Sequence, residues 1–549
     1  MLRKKFNHLI EETFNNNKKF IPIIIGIYFL INFNYLFFGG IIYDDWSLST
    51  NLIGYSLIER IKINCLLYFN TRPLGGLYVS LIAGFEKNDF AYILINISLW
   101  LISGLVLYLS LSKIFNKKSS IIFLLIFLFP SFASTPFFSP VTQSLGVLSI
   151  FFWSISIYYS VQKKIKYVML FYILSLLTYE YTVALFLFNI LFLSIENNKT
   201  LDYKKFFLNL TKLILQFLIL IFAIIIFQFI IAKITNNTAP LKYAFTFVEN
   251  QIVFEDNFFQ NIKKYFNKPL IIIFKEIPLL FIDSFNFIKI NFYNSLVYIS
   301  LLVFLVNLFF LKTNTNQNII IKTFFLFILF SSFFVFCMYL MVSSVPQING
   351  YYNRGLVGLF VCFSFFICWL SEYNFKYYLF EKFKFLAIIL IIFLNFNSFY
   401  IQKNNFTETE KIRLNILNNV SNFFKNKNEA FVMMIVPTYL EKNFNDETIF
   451  SEEVDDLHFA VNYATNKKVH ARRVFYSKDC KNIFQIVGKQ IYGFVPSRNR
   501  KNKNMIRIKL FPFFKNDNLY FYYDNNFFKL SSNNLENFPI LSRLTKCTY

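Results

Sequence analysis

The sequence predicts a mainly α-helical, polytopic membrane protein of about eleven transmembrane helices, followed by a small extracytoplasmic α/β domain. The chain has 549 residues, of which 56% are hydrophobic and 21% are aromatic. Uninterrupted apolar runs such as residues 213–232 match the thickness of a bilayer's hydrocarbon core. The formal charge of +24 comes from basic residues scattered between these runs and over the C-terminal part. This distribution indicates the positive loops of a membrane protein and argues against a nucleic-acid partner.

The first apolar run sets the orientation of the chain. Residues 1–20 are polar and basic, and residues 20–40 are long enough to span. No small-residue cleavage site follows, so this segment is predicted to be an uncleaved anchor. The N-terminal basic residues hold the N-terminus in the cytoplasm by the positive-inside rule: Arg3, Lys4, Lys5, Lys18 and Lys19. The sequence YDDW at 43–46 is therefore expected on the extracytoplasmic face.

The next apolar segment, residues 73–86, is too short to cross comfortably. If it did cross, Lys113, Lys117 and Lys118 would lie outside. If it instead lies along the outer interface, the span at 90–112 returns the chain and places these lysines in the cytoplasm. The positive-inside rule therefore favours an interfacial helix at 73–86.

The remaining runs continue the same alternation across the membrane. The stretch 167–195 is interrupted by TYEY at 178–181, which predicts two short helices meeting at the outer side. Residues 233–291 form a long external segment with partly apolar pieces. The other predicted spans are 119–133, 141–160, 206–232, 292–312, 319–342, 353–371 and 380–400. Because the number of spans is odd, we expect a transmembrane domain at 1–401 and an extracytoplasmic domain at 402–549.

The last part of the chain has a different composition, rich in Asn and Lys. Short apolar or alternating runs at 430–437, 505–514 and 518–524 are typical of strands. Residues 452–468 have the apolar spacing of a helix. This part is therefore predicted to be a small mixed α/β domain.

This topology brings several charged residues to one outer face, each near the end of a span. They are Asp44, Asp45, Arg72, Glu180 and Arg354. Asp44 and Asp45 could be loop carboxylates or a helix N-cap. Two adjacent carboxylates beside the interfacial Trp46 instead favour a functional role. One of them could face a substrate while a basic partner holds the other.

The other three charged residues also have structural alternatives. Arg72 could snorkel to lipid head groups, or pair with the loop that it shares with the two aspartates. Glu180 lies between apolar runs, where a carboxylate is costly, so lining a polar cavity is favoured over merely separating helices. Arg354 could anchor the end of a span, but its planar fork of donors also suits a phosphate.

In these residues the chain resembles the GT-C-type membrane glycosyltransferases. It is most similar to the bacterial glucosyltransferases that modify the O-antigen of lipopolysaccharide. The resemblance extends over roughly residues 1–400 and depends on the order of four short motifs. They are YDDW at 43–46, TRPLGGLYVSL at 71–81, LSLLTYEYTVAL at 174–185 and YYNRG at 351–355. No equivalent of the tail is recognised.

The resemblance implies an inverting transfer of a sugar from a polyprenyl-phosphate donor to an envelope glycan. The reaction would occur at the extracytoplasmic face of the bacterial inner membrane. Asp44 or Asp45 would be the general base that removes a proton from the acceptor hydroxyl. Arg354, helped by Arg72, would stabilise the departing lipid phosphate, and Glu180 would orient Arg354 or a sugar hydroxyl. Three aromatic neighbours are further candidates for substrate binding: Trp46, Tyr179 and Tyr352.

The sequence gives little indication of a cofactor. Only three histidines are present and no CxxC pair occurs, which argues against a zinc site. Some GT-C enzymes use a divalent metal at their acidic motif, but a single carboxylate cluster here argues against a required metal. The glycine pairs at 39–40 and 75–76 fit no nucleotide-binding fingerprint.

Two other functions remain open from the sequence. A transporter or lipid flippase would place charges along a path and is usually built from repeated halves, whereas here the charges lie on one face and no repeat is apparent. A polymerase that joins lipid-linked repeat units would also use external arginines, but would leave the acidic pair without a role.

Overall fold

A computed structural model describes the greater part of the chain. The described residues are 17–40, 45, 49, 52, 54–64, 72–85, 88–141, 143–195, 207–208, 211–212, 214–216, 218–219, 222, 226, 270–288, 294–299, 301, 305, 319–342, 355–373, 378–426, 430–434, 450, 454–466, 469–473, 484–487, 490–496, 505–511, 519–523 and 525–529.

The chain forms two compact units, and each of them is made of two stretches that are separate in sequence. The first comprises Met1–Gly40 and Gly54–Phe406, and the second comprises Ile41–Ile53 and Thr407–Tyr549. The first unit is helical throughout its described part. The second contains the strands. A short segment that follows the first apolar run in sequence therefore belongs with the tail of the chain.

The helices begin and end as follows. They are α1 (Asn17–Phe38), α2 (Leu57–Ile63), α3 (Pro73–Ile82), α4 (Asp89–Leu111), α5 (Lys117–Phe127), α6 (Thr135–Phe138), α7 (Ser144–Val161), α8 (Ile165–Thr178), α9 (Phe186–Ser194), α10 (Ile277–Asp283), α11 (Ile319–Val342), α12 (Val357–Glu372), α13 (Tyr378–Phe424) and α14 (Val454–Thr465). 3₁₀ turns at Ala83–Phe85, Glu180–Leu185 and Ser284–Phe287, and a π-helical turn at Ile272–Glu276, adjoin them.

Several helices coincide with predicted spans. In the described residues, four helices are long and apolar enough to cross a membrane: Asn17–Phe38, Asp89–Leu111, Ser144–Val161 and Leu379–Phe424. Shorter apolar helices include Ile165–Thr178 and Val357–Glu372. The predicted span at 206–232 and the external segment at 233–291 lie largely outside the described residues. Helix α5 is shorter than the span predicted at 119–133, and all but its first residue is buried.

Helix α13 differs most from its prediction. It has 47 residues, so its length is about 70 Å, more than twice the hydrocarbon core of a bilayer. The apolar run predicted at 380–400 fills its first half. Its second half is polar but keeps buried apolar residues at helical spacing: Ile416, Leu417, Val420 and Phe424. The predicted domain boundary at residue 401 therefore falls inside one continuous helix.

Phenylalanine rings form much of the interior of the first unit. The ring of Phe365 on α12 lies 4.3 Å from Phe188, 4.9 Å from Phe123 and 5.6 Å from Phe324, measured between centroids. The four residues come from α12, α9, α5 and α11. Each is completely buried. Aromatic pairs at such distances stabilise beyond their buried area, so this cluster joins four helices that are distant in sequence.

Buried polar side chains connect α13 to other helices of the first unit. Asn395 accepts from Ser131 (2.6 Å) and donates to the carbonyl of Phe129 (2.8 Å). Gln402 accepts from Ser134 (2.6 Å). Lys403 donates to the carbonyl of Ile31 (2.5 Å) and so joins α13 to α1 as well. The carbonyl of Phe129 lies just after the end of α5, where it lacks a partner within the helix, so the bond from Asn395 satisfies a group that would otherwise be left unpaired. Ile31 lies within α1, so the bond from Lys403 instead joins α13 to the middle of that helix.

A separate set of polar contacts joins the opposite ends of α5, α12 and α13. Glu372 at the end of α12 accepts from the backbone N–H of Asn116, which caps the N-terminus of α5. The ammonium groups of Lys118 and Lys384 both lie over the ring of Phe385, at 4.1 and 4.7 Å from its centroid. The lysines lie among the positive residues that the sequence assigns to the cytoplasmic side.

The second unit contains the second half of α13 and the strands. The strands are β1 (Ala430–Met434), β2 (Val469–Arg473), β3 (Phe484–Val487), β4 (Gln490–Pro496), β5 (Met505–Phe511), β6 (Leu519–Tyr523) and β7 (Asn526–Lys529). A four-stranded sheet has the order β2-β1-β6-β7, with β1 parallel to both β2 and β6. Helix α14 connects β1 to β2, as in a βαβ unit. A three-stranded antiparallel sheet has the order β3-β4-β5. The mixed α/β elements expected in the tail therefore form.

Candidate functional site

The segment after the acidic motif begins with a well-capped helix. Ser56 is the N-cap of α2, and its hydroxyl and backbone N–H both donate to the carboxylate of Glu59, at 2.7 and 2.8 Å. Both hydrogen bonds hold the pKa of the Glu59 carboxyl below its usual value, and the bond from the Ser56 hydroxyl has the larger effect. The capping box therefore fixes where α2 begins and remains intact at neutral pH.

Two further hydrogen bonds hold α2 against α3. Asn64, at the end of α2, donates to the hydroxyl of Ser80 at 2.9 Å. Arg60 donates to the carbonyl of Ala83, at the end of α3, at 3.0 Å. Asn64 and Ser80 are completely buried, and Arg60 is nearly so. These two hydrogen bonds therefore fix α2 and α3 to each other. Arg72 and Pro73 lie at the N-terminal end of α3.

Helix α3 in turn lies directly against the end of α8. A Cβ atom on Gly75 would be 2.9 Å from the carbonyl oxygen of Thr178 and 3.3 Å from the side chain of Leu145. The first distance is shorter than real Cβ contacts, so only glycine fits at this backbone separation. The close approach places the N-terminus of α3 beside the break between α8 and α9.

Arg72 and Tyr179 meet at this point. Arg72 precedes the first residue of α3, and Pro73 is well suited to start a helix. The guanidinium carbon of Arg72 lies 4.1 Å from the centroid of the Tyr179 ring, in cation–π geometry. Both side chains are half-buried. The guanidinium is thereby held beside the residue that precedes Glu180.

The break itself is held by a small hydroxyl network. Helix α8 ends at Thr178, Tyr179 is extended, and a 3₁₀ turn runs from Glu180 to Leu185. Ser149 on α7 donates to the carbonyl of Tyr179 at 2.9 Å. The hydroxyl groups of Ser175 and Thr182, on either side of the break, lie 2.6 Å apart. The break therefore has fixed hydrogen-bond partners on a neighbouring helix.

The structure places only some of the predicted site residues. Arg72 and Tyr179 lie together, and the backbone of Glu180 begins the 3₁₀ turn next to them. Asp45 is helical and completely buried, and it belongs to the second compact unit. The other predicted site residues lie outside the described residues: Asp44, Trp46, Tyr352 and Arg354.

The sequence analysis did not single out Ser149, Ser175 and Thr182. All three lie within apolar stretches and are completely buried. A small hydroxyl residue inside an apolar helix is a weak signal by itself, since it can bond the carbonyl of the preceding turn of its own helix. For Ser175 and Thr182 the signal was their proximity in sequence to TYEY, because a broken helix leaves backbone groups that require outside partners. Ser149 lies 30 residues from Tyr179 in sequence and gave no such signal.

In the described parts of the chain, no three His, Cys, Asp or Glu side chains lie close enough to hold a metal ion. No protein-family model, curated protein or solved structure matches this chain. Its function is therefore inferred from its own residues and contacts.

The contact at Gly75 predicts a specific sensitivity to an added methyl group. We expect Gly75→Ala to lower the free energy of unfolding by about 1–2 kcal/mol, since overpacking costs more than the gain in helix propensity. Gly26 is the matched control, because no atom lies within 4 Å of a Cβ atom placed there. Gly26→Ala should be neutral or stabilising. Thermal unfolding in detergent measures both, and equal effects of the two variants would contradict the close contact.

The pair of Arg72 and Tyr179 predicts a measurable coupling. A double-mutant cycle with Arg72→Gln and Tyr179→Leu should give an interaction energy of about 1 kcal/mol, as expected for a half-buried cation–π pair. Lys113 and Tyr158, at 4.7 Å, provide a control pair in which the lysine is exposed and the coupling should be smaller. Additive effects of the two substitutions in unfolding measurements would show that the contact contributes nothing.

Proposed function

We propose that the protein is an inverting membrane glycosyltransferase that uses a polyprenyl-phosphate sugar, with glucose or another hexose as the sugar. The observation that best supports this is the contact of Arg72 with Tyr179. Two motifs separated by about a hundred residues in sequence, TRPL at 71–74 and TYEY at 178–181, lie against each other. The contact holds a guanidinium next to the backbone of Glu180, as a site for an anionic donor requires.

In this proposal the reaction needs one base and one anion-binding group. Asp44 or Asp45 removes the proton of an acceptor hydroxyl as its oxygen attacks the anomeric carbon. The bond from that carbon to the donor phosphate oxygen breaks, and the electron pair leaves with the lipid phosphate. Arg354, with Arg72, stabilises the charge that develops there. The leaving phosphate is acidic enough to depart without a general acid. A required metal is not part of the proposal, because only one cluster of carboxylates is present near Asp44.

The remaining roles follow from the same assignment. Glu180 orients Arg354 or a sugar hydroxyl, while Trp46, Tyr179 and Tyr352 contact the sugar or the lipid phosphate. The proposal takes about eleven spans and assigns these residues to the extracytoplasmic face of a bacterial inner membrane. The N-terminus is then cytoplasmic, the domain at 402–549 is extracytoplasmic, and the acceptor is a cell-envelope glycan such as O-antigen.

The acidic motif gives the main test of this proposal. We expect Asp44→Asn and Asp45→Asn to be unequal, because adjacent side chains point in different directions. Loss of the base should lower turnover by a factor of about 100 or more, and loss of the positioning carboxylate should lower it less. The assay follows release of radiolabelled sugar from its polyprenyl phosphate by the purified protein in lipid nanodiscs.

Glu408→Gln serves as the control in this assay, since Glu408 is a half-buried carboxylate without an assigned role. Full activity of both aspartate variants would remove the general-base assignment. In sealed proteoliposomes, labelled sugar that crosses the membrane while still attached to its lipid would instead indicate a flippase.

The shared outer face can be tested by labelling. In a cysteine-free background, cysteines at Asn349, near Arg354, and at Asn499 should react with an impermeant maleimide added outside. Cysteines replacing Lys117 and Lys204 should react only after the membrane is opened, because these lysines belong to cytoplasmic loops. Labelling of position 349 from the cytoplasmic side would place Arg354 on the wrong face for the proposed site.

A further inference from the structure

The C-terminal ends of α4 and α7 lie together beside a row of tyrosine rings. The ammonium group of Lys113, two residues after the end of α4, lies 4.7 Å from the ring centroid of Tyr158 on α7. That ring is 5.7 Å from the ring of Tyr159, which stacks on Tyr167 of α8 at 4.9 Å. Residues of three helices therefore form one continuous surface.

The turn between α7 and α8 adds two lysines to these rings. Lys164 lies 5.9 Å from the ring centroid of Tyr159, and Lys166 precedes Tyr167 in the first turn of α8. Lys163 fixes the turn, because its ammonium group donates to two carbonyls at the end of α9. The resulting lysine–tyrosine surface consists of Lys113, Lys164, Lys166, Tyr158, Tyr159 and Tyr167.

The lysine–tyrosine surface is positively charged. Lys113, Lys164 and Lys166 are exposed, and within the described residues none of the three forms an ion pair with a carboxylate. Residues 111–118 and 158–170, which build the surface, contain no Asp or Glu. Like charges that share a surface repel one another, so a bound anion would lower their mutual repulsion. An anion is therefore the ligand that these charges favour.

An apolar face of α8 adjoins the positive charges. Helix α7, which is long and apolar enough to cross a membrane, ends at this surface. Helix α8 runs back along it, with the ring of Phe171 stacked on Tyr159 at 5.6 Å and on Phe152 at 6.5 Å. Tyr167 and Leu170, neighbours on one side of α8, are 50% and 48% exposed. Positive charge at the helix ends therefore continues into exposed apolar surface further along α8.

We propose that the lysine–tyrosine surface binds an anionic phospholipid. Its phosphate lies among the ammonium groups of Lys113, Lys164 and Lys166, and one of its acyl chains lies along Leu170 and Phe171. By the positive-inside rule this surface belongs to the cytoplasmic leaflet, where anionic lipids attract basic groups next to transmembrane helices. The inference does not depend on the proposed function, because it uses none of the residues assigned to the transfer reaction.

A lipid fits this surface better than a soluble anion does. A soluble phosphate would meet the lysines but leave Tyr167 and Leu170 uncovered, and exposed charge pairs in water contribute little. A phospholipid presents its phosphate at the height of the helix ends and covers the apolar residues with its chain. Tyrosine suits the level between them, because its ring is apolar while its hydroxyl bonds to a head group.

Binding is measured on the full-length protein in detergent by native mass spectrometry. Phosphatidylglycerol and phosphatidylcholine with the same acyl chains are titrated separately, and their affinities are compared. Phosphatidylglycerol should bind more tightly, because its phosphate charge is not balanced by a choline. Replacing all three exposed lysines by glutamine should weaken its binding about 100-fold, since each lysine near an anionic lipid contributes about a factor of five. Equal affinity for the two lipids would show that the inference is wrong.

Single substitutions locate the site. Lys113→Gln, Lys164→Gln and Lys166→Gln should each weaken phosphatidylglycerol binding about 5-fold and leave the thermal unfolding midpoint unchanged, because these side chains are exposed. Leu170→Ala keeps the charge and should weaken binding about 3-fold through lost contact with the acyl chain. Lys382→Gln is the matched control, since Lys382 is an exposed lysine of α13 on the same predicted side. An equal loss in this control would indicate general charge attraction and contradict a site.

Hydrogen exchange separates a lipid from a soluble phosphate. In nanodiscs that contain phosphatidylglycerol, backbone exchange in the turn at residues 162–166 should be slower than in nanodiscs of phosphatidylcholine alone. If inorganic phosphate added to the phosphatidylcholine nanodiscs slows exchange as much, the ligand is a soluble anion and the lipid assignment is wrong. If neither slows exchange, no anion binds at this surface and the inference fails.

Discussion

The close approach of α3 to the end of α8 determines the geometry of the part of the site that the structure describes. At Gly75 the two backbones are so near that a single methyl group would meet the carbonyl oxygen of Thr178. This separation brings the start of α3 to the break in the next helix pair, and so brings Arg72 to Tyr179. The hydrogen bonds of Asn64 and the network around Ser149 hold the two sides in place. Packing of backbone and small residues therefore contributes directly to the placement of Arg72.

Buried polar groups have a second use in this chain, as connectors between helices. An apolar face packs against lipid as well as against protein, so it specifies a neighbouring helix only weakly. An amide or ammonium group that must reach a particular carbonyl is more selective, and the bonds of Asn395, Gln402 and Lys403 on α13 have this character. The phenylalanine cluster around Phe365 provides contact area, and the polar bonds fix which helices meet and at what height.

The sequence predicted the long apolar helices well, since hydropathy reports local burial. The spans expected at 20–40, 90–112 and 141–160 correspond to helices whose ends differ by at most three residues. The break at 178–181 was also foreseen, because a carboxylate within an apolar run is costly. The extension of α13 to Phe424 was not foreseen, because hydropathy marks where a chain leaves the membrane and not where a helix ends. The pairing of β1 with β6 was inaccessible as well, because it joins segments about 85 residues apart and no local pattern specifies such a partner.

The site was predictable only in part, for a related reason. Arg72 was selected for its position near a span end and Tyr179 as an aromatic neighbour of Glu180. Their contact depends on Gly75, whose role appears only when two backbones are seen together. The association of Ile41–Ile53 with the tail could not be predicted either, because that segment directly follows the first apolar run in sequence. This association gives the tail a physical connection to the acidic motif, for which the sequence offered none. Because the tail shares one compact unit with Asp45, it is not an appendage independent of the acidic motif.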